Sequence, residues 1–407
     1  MNQDHLLLYE SIGQVVTLSG VAKKCGRHPQ PEDLGVIENA ALVVDTVDNR
    51  IVWLGKQEEL PKNYRSIVNT VSAEGEVWLP ELVECHTHLV HAGTRHHDYA
   101  LRSAGKTYQE VANAGGGILR TLAFTREASF EELLSQALSE IDRFQRYGVG
   151  TLEIKSGYGL SFESELKILE VIQALQEQTS VHIVPTFLPA HAIPPEFKGR
   201  ADDYVDMICR EWIPEVALRK WAKYFDVFIE EGYFSLKQAE KLCLTALDRG
   251  LGLKLHCDQF TSLGGAALGV SLGATSVDHL DNISEESIQK VAQSETVAVM
   301  CPGASLFTGT PFPPARKLID AGARVAVSTD FNPGTCPSRN LPLMTTIACS
   351  QMKMTIAEAI AAITYNAAAA LGLELELGTL EVGKKFRACH LKADSYEVLP
   401  YCFGDLE

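Results

Sequence analysis

From Val77 onward, short apolar runs alternate with stretches whose apolar residues recur every three or four positions. That alternation predicts parallel strands joined by crossover helices. The predicted strands are Val77 to Cys85, Val149 to Lys155, Val181 to Leu188, Phe225 to Glu230, Leu253 to Cys257, Thr275 to His279, Thr296 to Cys301 and Val325 to Thr329. Between them lie amphipathic segments: Phe130 to Tyr147, Glu163 to Gln178, Leu236 to Arg249, Ser284 to Gln293 and Pro314 to Ala321. Eight such strands predict a closed (β/α)8 TIM barrel, an α/β fold whose active site sits at the carboxyl ends of the strands. The ends of the chain read differently. Leu6 to Tyr9, Gln14 to Leu18, Ala41 to Asp45 and Arg50 to Leu54 are strand-like, with a turn at Asp48-Asn49. After a helical run from Ile356 to Leu371, the segment Gly378 to Phe403 is again short and strand-like. The expected organisation is therefore a barrel over residues 76–371 and a small β-sandwich built from residues 1–75 and 372–407.

Composition narrows the choice of partners. With 46% hydrophobic and 22% charged residues in 407, the chain reads as an ordinary soluble globular protein. A formal net charge of -16 disfavours nucleic acid and anionic membranes, while a local arginine still allows an anionic small substrate. Ten cysteines without a C-x-x-C pair, and no cationic and apolar leader at the N-terminus, point to a reducing, cytoplasmic setting. No apolar run approaches the roughly 20 residues that span a bilayer.

Chemistry-bearing residues gather at the predicted strand ends. His86 and His88 follow the first run and, at a spacing of two, point to one side, where two imidazoles grip one divalent metal. His256, His279 and Asp330 close the fifth, sixth and eighth runs. A lone strand-end histidine is ordinarily structural and a lone aspartate is ordinarily a helix cap. Five at the expected ends of one barrel are hard to assign to that cause.

This pattern resembles the amidohydrolase superfamily. The resemblance implies that His86, His88, His256 and Asp330 hold one metal, zinc or iron, with His279 beside the activated water or carbonyl. No fourth-strand lysine or bridging glutamate is apparent, since that strand ends Phe228-Ile-Glu230-Glu231, so one metal is expected rather than two. Further segments, Glu153 to Gly159, Ala190 to Pro195, Lys198 to Asp202, Leu263 to Gly265 and Ser328 to Thr335, are similar to the branch that opens an imidazolone ring in histidine degradation. That implies hydrolysis of 4-imidazolone-5-propanoate to N-formimidoyl-L-glutamate, and the superfamily suggests a homodimer.

Such a substrate needs an electrophile for its carbonyl, a nucleophilic water and a cation for its tail. Asp330 is the candidate proton carrier and His279 the candidate hydrogen-bonding partner of the oxyanion or water. Arg95 offers a planar fork for the carboxylate. Tyr158, between Gly157 and Gly159, and His191 become substrate contacts through the resemblance. Asn332, Gly334 and Thr335 offer amide, backbone and hydroxyl hydrogen bonds. Where some relatives carry a glutamate three residues after the fifth-strand histidine, this chain has Gln259, read here as a substrate contact. Asp258 is the competing choice, because continued strand alternation turns it to the side of His256.

Secondary expectations are a flexible Gly115-Gly-Gly117 loop near the mouth, pocket-edge positions for His91, His96 and His97, and Cys336 as the cysteine to test for reactivity. Competing functions are a deaminase of another cyclic amidine and a non-catalytic scaffold. Released ammonia identifies the first; loss of metal ligands identifies the second, whereas all four ligands and His279 are present here.

Overall fold

The computed structural model describes residues 5–106, 110 and 116–405. Six strands form one sheet drawn from both ends of the chain: β1 (Leu6–Val16), β2 (Val36–Asp45), β3 (Arg50–Lys56), β4 (Thr70–Ser72), β5 (Val77–Pro80) and, far downstream, Ala388–Leu391. Its spine runs from Ala388–Leu391 through β5, β1 and β2 to β3, with β4 paired to β1. Apolar clusters line both faces, Ile12, Leu42, Ile51 and Trp78 in one and Leu8, Ala41, Val43 and Leu60 in the other.

Eight parallel strands make the second sheet in unbroken chain order: β6 (Leu82–Glu84), β7 (Val149–Lys155), β8 (His182–Ala190), β9 (Tyr224–Ile229), β10 (Gly252–Cys257), β11 (Ser276–His279), β12 (Val297–Met300) and β13 (Arg324–Val327). The sheet curls until its first and last strands meet beyond their ends. There Thr87 bridges Phe331 in parallel, and the His88 amide donates to the Phe331 carbonyl at 2.9 Å. Glu84 fastens the same seam, accepting from the Ser328 hydroxyl and, at 3.1 Å, from the Thr329 amide. The result is the expected TIM barrel beside a small domain from both chain ends, which is one six-stranded sheet where a β-sandwich was expected.

The crossover helices form where the periodicity placed them. Phe130–Arg146 starts with a reciprocal cap, the Glu132 amide donating to Ser129 Oγ at 3.1 Å and the Ser129 amide to Glu132 Oε2 at 2.8 Å. Its last turn carries Arg143 and Arg146, which suit the negative end of the helix dipole. Leu133, Ala137, Ile141 and Phe144 share its buried face at helical spacing. Phe162–Gln178, Leu236–Asp248, Glu285–Ala292 and Ala315–Ala321 likewise bury apolar residues, and of these Leu236–Asp248 repeats the reciprocal cap, between Ser235 and Gln238.

The elements differ from expectation in four places. The run Val77 to Cys85 is two strands, not one: β5 belongs to the small sheet and only β6 to the barrel. Both are buried on every side, so hydropathy shows no break, and the change of sheet falls at Pro80-Glu81. The two N-terminal runs are a single strand with an irregularity between Tyr9 and Ile12, followed by a short helix at Ser19–Lys23. The C-terminal segment contributes one strand and a helical turn at Val398–Tyr401. The helical run Ile356 to Leu371 is broken into Ile356–Ala362 and Tyr365–Ala369.

No helix among the described residues is long and apolar enough to cross a membrane, and all ten cysteines are free thiols. The N-terminal segment is pinned to the barrel by Arg27. Its guanidinium donates to the carbonyls of Ala292 at 2.9 Å, Gly322 at 2.5 Å and Ser294 at 2.6 Å. These carbonyls lie at or just past helix C-termini, where the backbone lacks acceptors' partners. Arg27→Met is expected to lower unfolding stability by about 2–4 kcal/mol, because charged hydrogen bonds of this kind contribute on the order of 1.5–3 kcal/mol each and are not additive. Denaturant unfolding checks this, with activity per folded molecule unchanged.

Candidate metal centre and substrate cavity

The carboxyl ends of the barrel strands converge on a cluster of buried imidazoles and one carboxylate. His86 is fully buried; His88, His256, His279 and Asp330 are each 2% exposed. His86, His88 and Asp330 bring ligand atoms within 4.8 Å of one another, as do His86, His256 and His279. Asp330 Oδ1 lies 3.6 Å from Nε2 of both His86 and His88, and His256 Nε2 lies 3.2 Å from His88 Nε2. Burial holds the pKa of His86, His88 and His256 well below 6.5, so these rings are neutral and keep a lone pair. His86 Nδ1 is 2.6 Å from Asp278 Oδ2, which leaves Nε2 buried and without a hydrogen-bond partner. A buried nitrogen of that kind is costly unless something binds it. Either group, His86 with His88 and Asp330 or His86 with His256 and His279, has the donor types and spacing that could hold a divalent metal.

Backbone conformation makes the convergence possible. Strand alternation puts Asp278 and His279 on opposite faces, but His279 has φ 80° and Leu280 φ 67°, which turns the His279 ring to within 5.3 Å of His86 and 5.2 Å of His256, centroid to centroid. Asp330 likewise has φ 54°, three residues past β13. Left-handed backbone at buried non-glycine residues costs about 1–3 kcal/mol each and persists where surrounding contacts impose it.

Above the cluster opens a cavity of about 890 Å³ whose walls include Arg95, Tyr158, His191, Gln259, His279, Asp330, Asn332 and Thr335. His191 stacks on His88 at 4.8 Å, and its Nδ1 is 3.1 Å from the Gly157 carbonyl, which makes Nδ1 the donor and turns Nε2 away from that bond. Burial pushes its pKa down to about 3. Tyr158 is 2% exposed and lies edge-on to His91, with His88 and His191 also within ring contact. The Asn332 amide is engaged within its own loop, accepting from the amides of Gly334 and Thr335 at 2.8 Å and donating to the Asp330 carbonyl at 2.7 Å. Thr335 Oγ1 donates to Asp330 Oδ2 at 3.2 Å. The loop thus shapes the wall and orients Asp330. Gly334 lies under the Arg95 guanidinium, where a Cβ would overlap the side chain.

The competing choice Asp258 and the secondary expectations for Cys336, the triple glycine and His91, His96 and His97 are corrected. Asp258 does not face the cavity: φ 51° ends the strand alternation, and its carboxylate accepts the amides of Gly264 at 2.9 Å and Ala266 at 3.1 Å at the start of the helix Gly265–Ser271. Gln259 lines the cavity instead. Cys336 is 2% exposed and burial raises its thiol pKa far up, so it stays protonated. Of the triple glycine, Gly115 lies outside the described residues, while Gly116 and Gly117 are buried and Gly117 begins the helix Ile118–Glu127, its amide donating to Asp98 at 2.7 Å. His91 is buried behind the cavity wall with Nδ1 3.0 Å from the His88 carbonyl, and His96 and His97 are exposed.

Sequence reading missed the charged layer below the histidines. Glu153, Lys155, Asp226, Lys254 and Asp278 are all fully buried. Asp226 Oδ2 lies 2.9 Å from His256 Nδ1 without a hydrogen bond to it, and Asp226 Oδ1 accepts the His256 backbone amide at 3.2 Å. A signal was available: Lys254 and Asp278 stand on inward-facing positions of strands that end in histidine.

Comparison with known proteins places this architecture. The amidohydrolase family profile matches residues 244–399. Among solved structures, guanine deaminase from C. acetobutylicum superposes with a TM-score of 0.71 at 14% identity, covering 98% of this chain and 95% of that one. 5-Methylcytosine deaminase from Klebsiella pneumoniae gives 0.71 at 16%, covering 91% and 94%. The fold is therefore that of the amidohydrolases, a class that fits the divalent-metal donor set. Sequence similarity is narrower. The imidazolonepropionase of Bdellovibrio bacteriovorus is 43% identical over 100% of this chain and 95% of its own, and that of Symbiobacterium thermophilum 40% over 98% and 93%. The chain belongs to the imidazolonepropionase family.

Two outcomes follow from the geometry. Burial lifts the Asp330 pKa from 3.8 to about 7, so in the metal-free protein this carboxyl keeps its proton in mild acid. A metal must displace that proton, and its apparent affinity should therefore rise close to tenfold per pH unit below about 7 and flatten above it, as read by chelator competition. Gly334→Ala should displace Arg95 while metal content, measured by atomic absorption, stays at the wild-type value.

Proposed function

We propose that the chain hydrolyses 4-imidazolone-5-propanoate to N-formimidoyl-L-glutamate, using one divalent ion held by His86, His88, His256 and Asp330. The observation that carries this reading is the meeting, in one cavity, of the histidine and aspartate cluster with Arg95, whose Nε is buried and without a hydrogen-bond partner. A small cyclic amide with a carboxylate tail needs both. Zinc and iron suit this donor set equally.

When bound, the ion supplies Lewis acidity, polarising a carbonyl and making water a nucleophile near neutral pH. The remaining work belongs to side chains. Arg95 pairs with the propanoate through its planar fork, and Tyr158, His191 and Gln259 hold the ring against the cluster. Asp330, steadied by Thr335, accepts the proton of the attacking water and delivers it to the ring nitrogen as the carbon–nitrogen bond breaks. Water thus contributes its hydroxyl to the carbonyl carbon and its proton to the nitrogen. Burial holds His279 neutral, with a pKa near 3, and its ring lines the cavity, where it is available to stabilise the developing oxyanion.

The test follows the ultraviolet absorbance of 4-imidazolone-5-propanoate with zinc-loaded, iron-loaded and metal-stripped protein while ammonia is assayed. Metal-dependent loss of absorbance without ammonia is the expected result. Ammonia release, or no turnover by a folded and metal-replete sample, contradicts the assignment. Arg95→Ala should raise KM at least tenfold with metal content unchanged, whereas His256→Ala should lose the metal.

A further inference from the structure

Beneath the histidines, one ammonium group touches three carboxylates. Lys155 Nζ, on β7, lies 2.8 Å from Asp226 Oδ2, 2.9 Å from Glu153 Oε1 and 3.7 Å from Asp278 Oδ2. Two of those carboxylates also reach histidines of the cluster. Asp278 Oδ2 is hydrogen-bonded to His86 Nδ1 at 2.6 Å; Asp226 Oδ2 comes within 2.9 Å of His256 Nδ1 without forming a hydrogen bond to it, and Asp226 holds His256 through the backbone amide, which donates to Oδ1 at 3.2 Å. We propose that Lys155 is a positioning residue for the metal centre, fixing from behind Asp278, which aims the His86 ring, and Asp226, which holds the strand end at His256. This rests on the reading of those histidines as metal ligands and not on the identity of the substrate.

The geometry gives Lys155 this task over its neighbour. Lys254 Nζ is directed at Ser276 Oγ, 2.7 Å, and the Ala370 carbonyl, 3.2 Å, and stands 3.8 Å from Asp278 Oδ2. It makes no ion pair with Asp226 among the described residues. Asp226 and Asp278 sit on β9 and β11, on either side of β10, which carries His256. Like charges so placed repel in a medium of low polarity, and a cation reaching both opposes their separation. The other oxygens are already held: Asp226 Oδ1 by the His256 amide at 3.2 Å, and Asp278 Oδ1 by Ser276 Oγ at 2.5 Å. The shared ammonium therefore completes the fixing of the two carboxylates, of which Asp278 orients the His86 ring and Asp226 lies behind that of His256. Partners that orient a metal-binding histidine are worth on the order of 10–100-fold in metal affinity.

Lys155→Met keeps the length of the side chain and removes its charge. Zinc affinity of the folded variant, measured by chelator competition, should fall at least tenfold, and the ¹⁵N signals of the metal-free His86 ring should shift from the pattern of a ring protonated at Nδ1. A purely structural lysine would lower the melting temperature and leave both readouts in place; zinc affinity within twofold of wild type with an unchanged His86 signal overturns the proposal. If Lys155→Met does not fold, Asp226→Asn and Asp278→Asn are measured instead. A tenfold loss of zinc affinity in each supports the relay, and wild-type affinity in both overturns it. Because no substrate enters these measurements, failure of the proposed reaction leaves their outcome unaffected.

Discussion

Charge buried without water must be paired, and this barrel is arranged around meeting that demand. Glu153, Lys155, Asp226, Lys254 and Asp278 occupy the interior with no exposure to solvent. An isolated ion there would cost several kcal/mol, so every member leans on another strand. Lys155 on β7 reaches Asp226 on β9, and Lys254 on β10 donates to Ser276 on β11. The barrel's inner register and its charge pairing are one constraint. Asp226 and Asp278 face upward as well as inward, so the same layer holds the His86 ring through Asp278 and the His256 backbone through Asp226.

Strain accumulates at the level just above that layer. Regular strands would send His279 outward and carry Asp330 along a straight path; left-handed residues at both points bend them toward His86 instead. The same device at Asp258 turns a carboxylate out of the site and onto a helix start. A common backbone feature therefore sorts acidic side chains at the strand ends, one into the cavity and one into a cap. Around them the walls are built by local contacts: His191 stacks on His88, Asn332 bonds within its own loop, and Gly334 leaves the space that Arg95 fills.

The barrel was legible because its strands are short apolar runs and its helices carry apolar residues at helical spacing. The cluster was legible because histidines and an aspartate ended several runs at once. What escaped depends on register or on single backbone angles. Val77 to Cys85 looks uniform since both of its strands are buried, and only pairing tells β5 from β6. Asp258 was placed on the side of His256 by alternation, which φ 51° ends. Lys155 and Asp226 are 71 positions apart, and no local pattern reveals that they meet.

The account stands on one divalent ion bound at the strand ends, and anomalous diffraction from zinc-loaded crystals tests that most directly. A single strong peak within bonding distance of His86, His88, His256 and Asp330 is the predicted result. No peak there in protein that retains stoichiometric zinc, or a peak at another set of side chains, would contradict it.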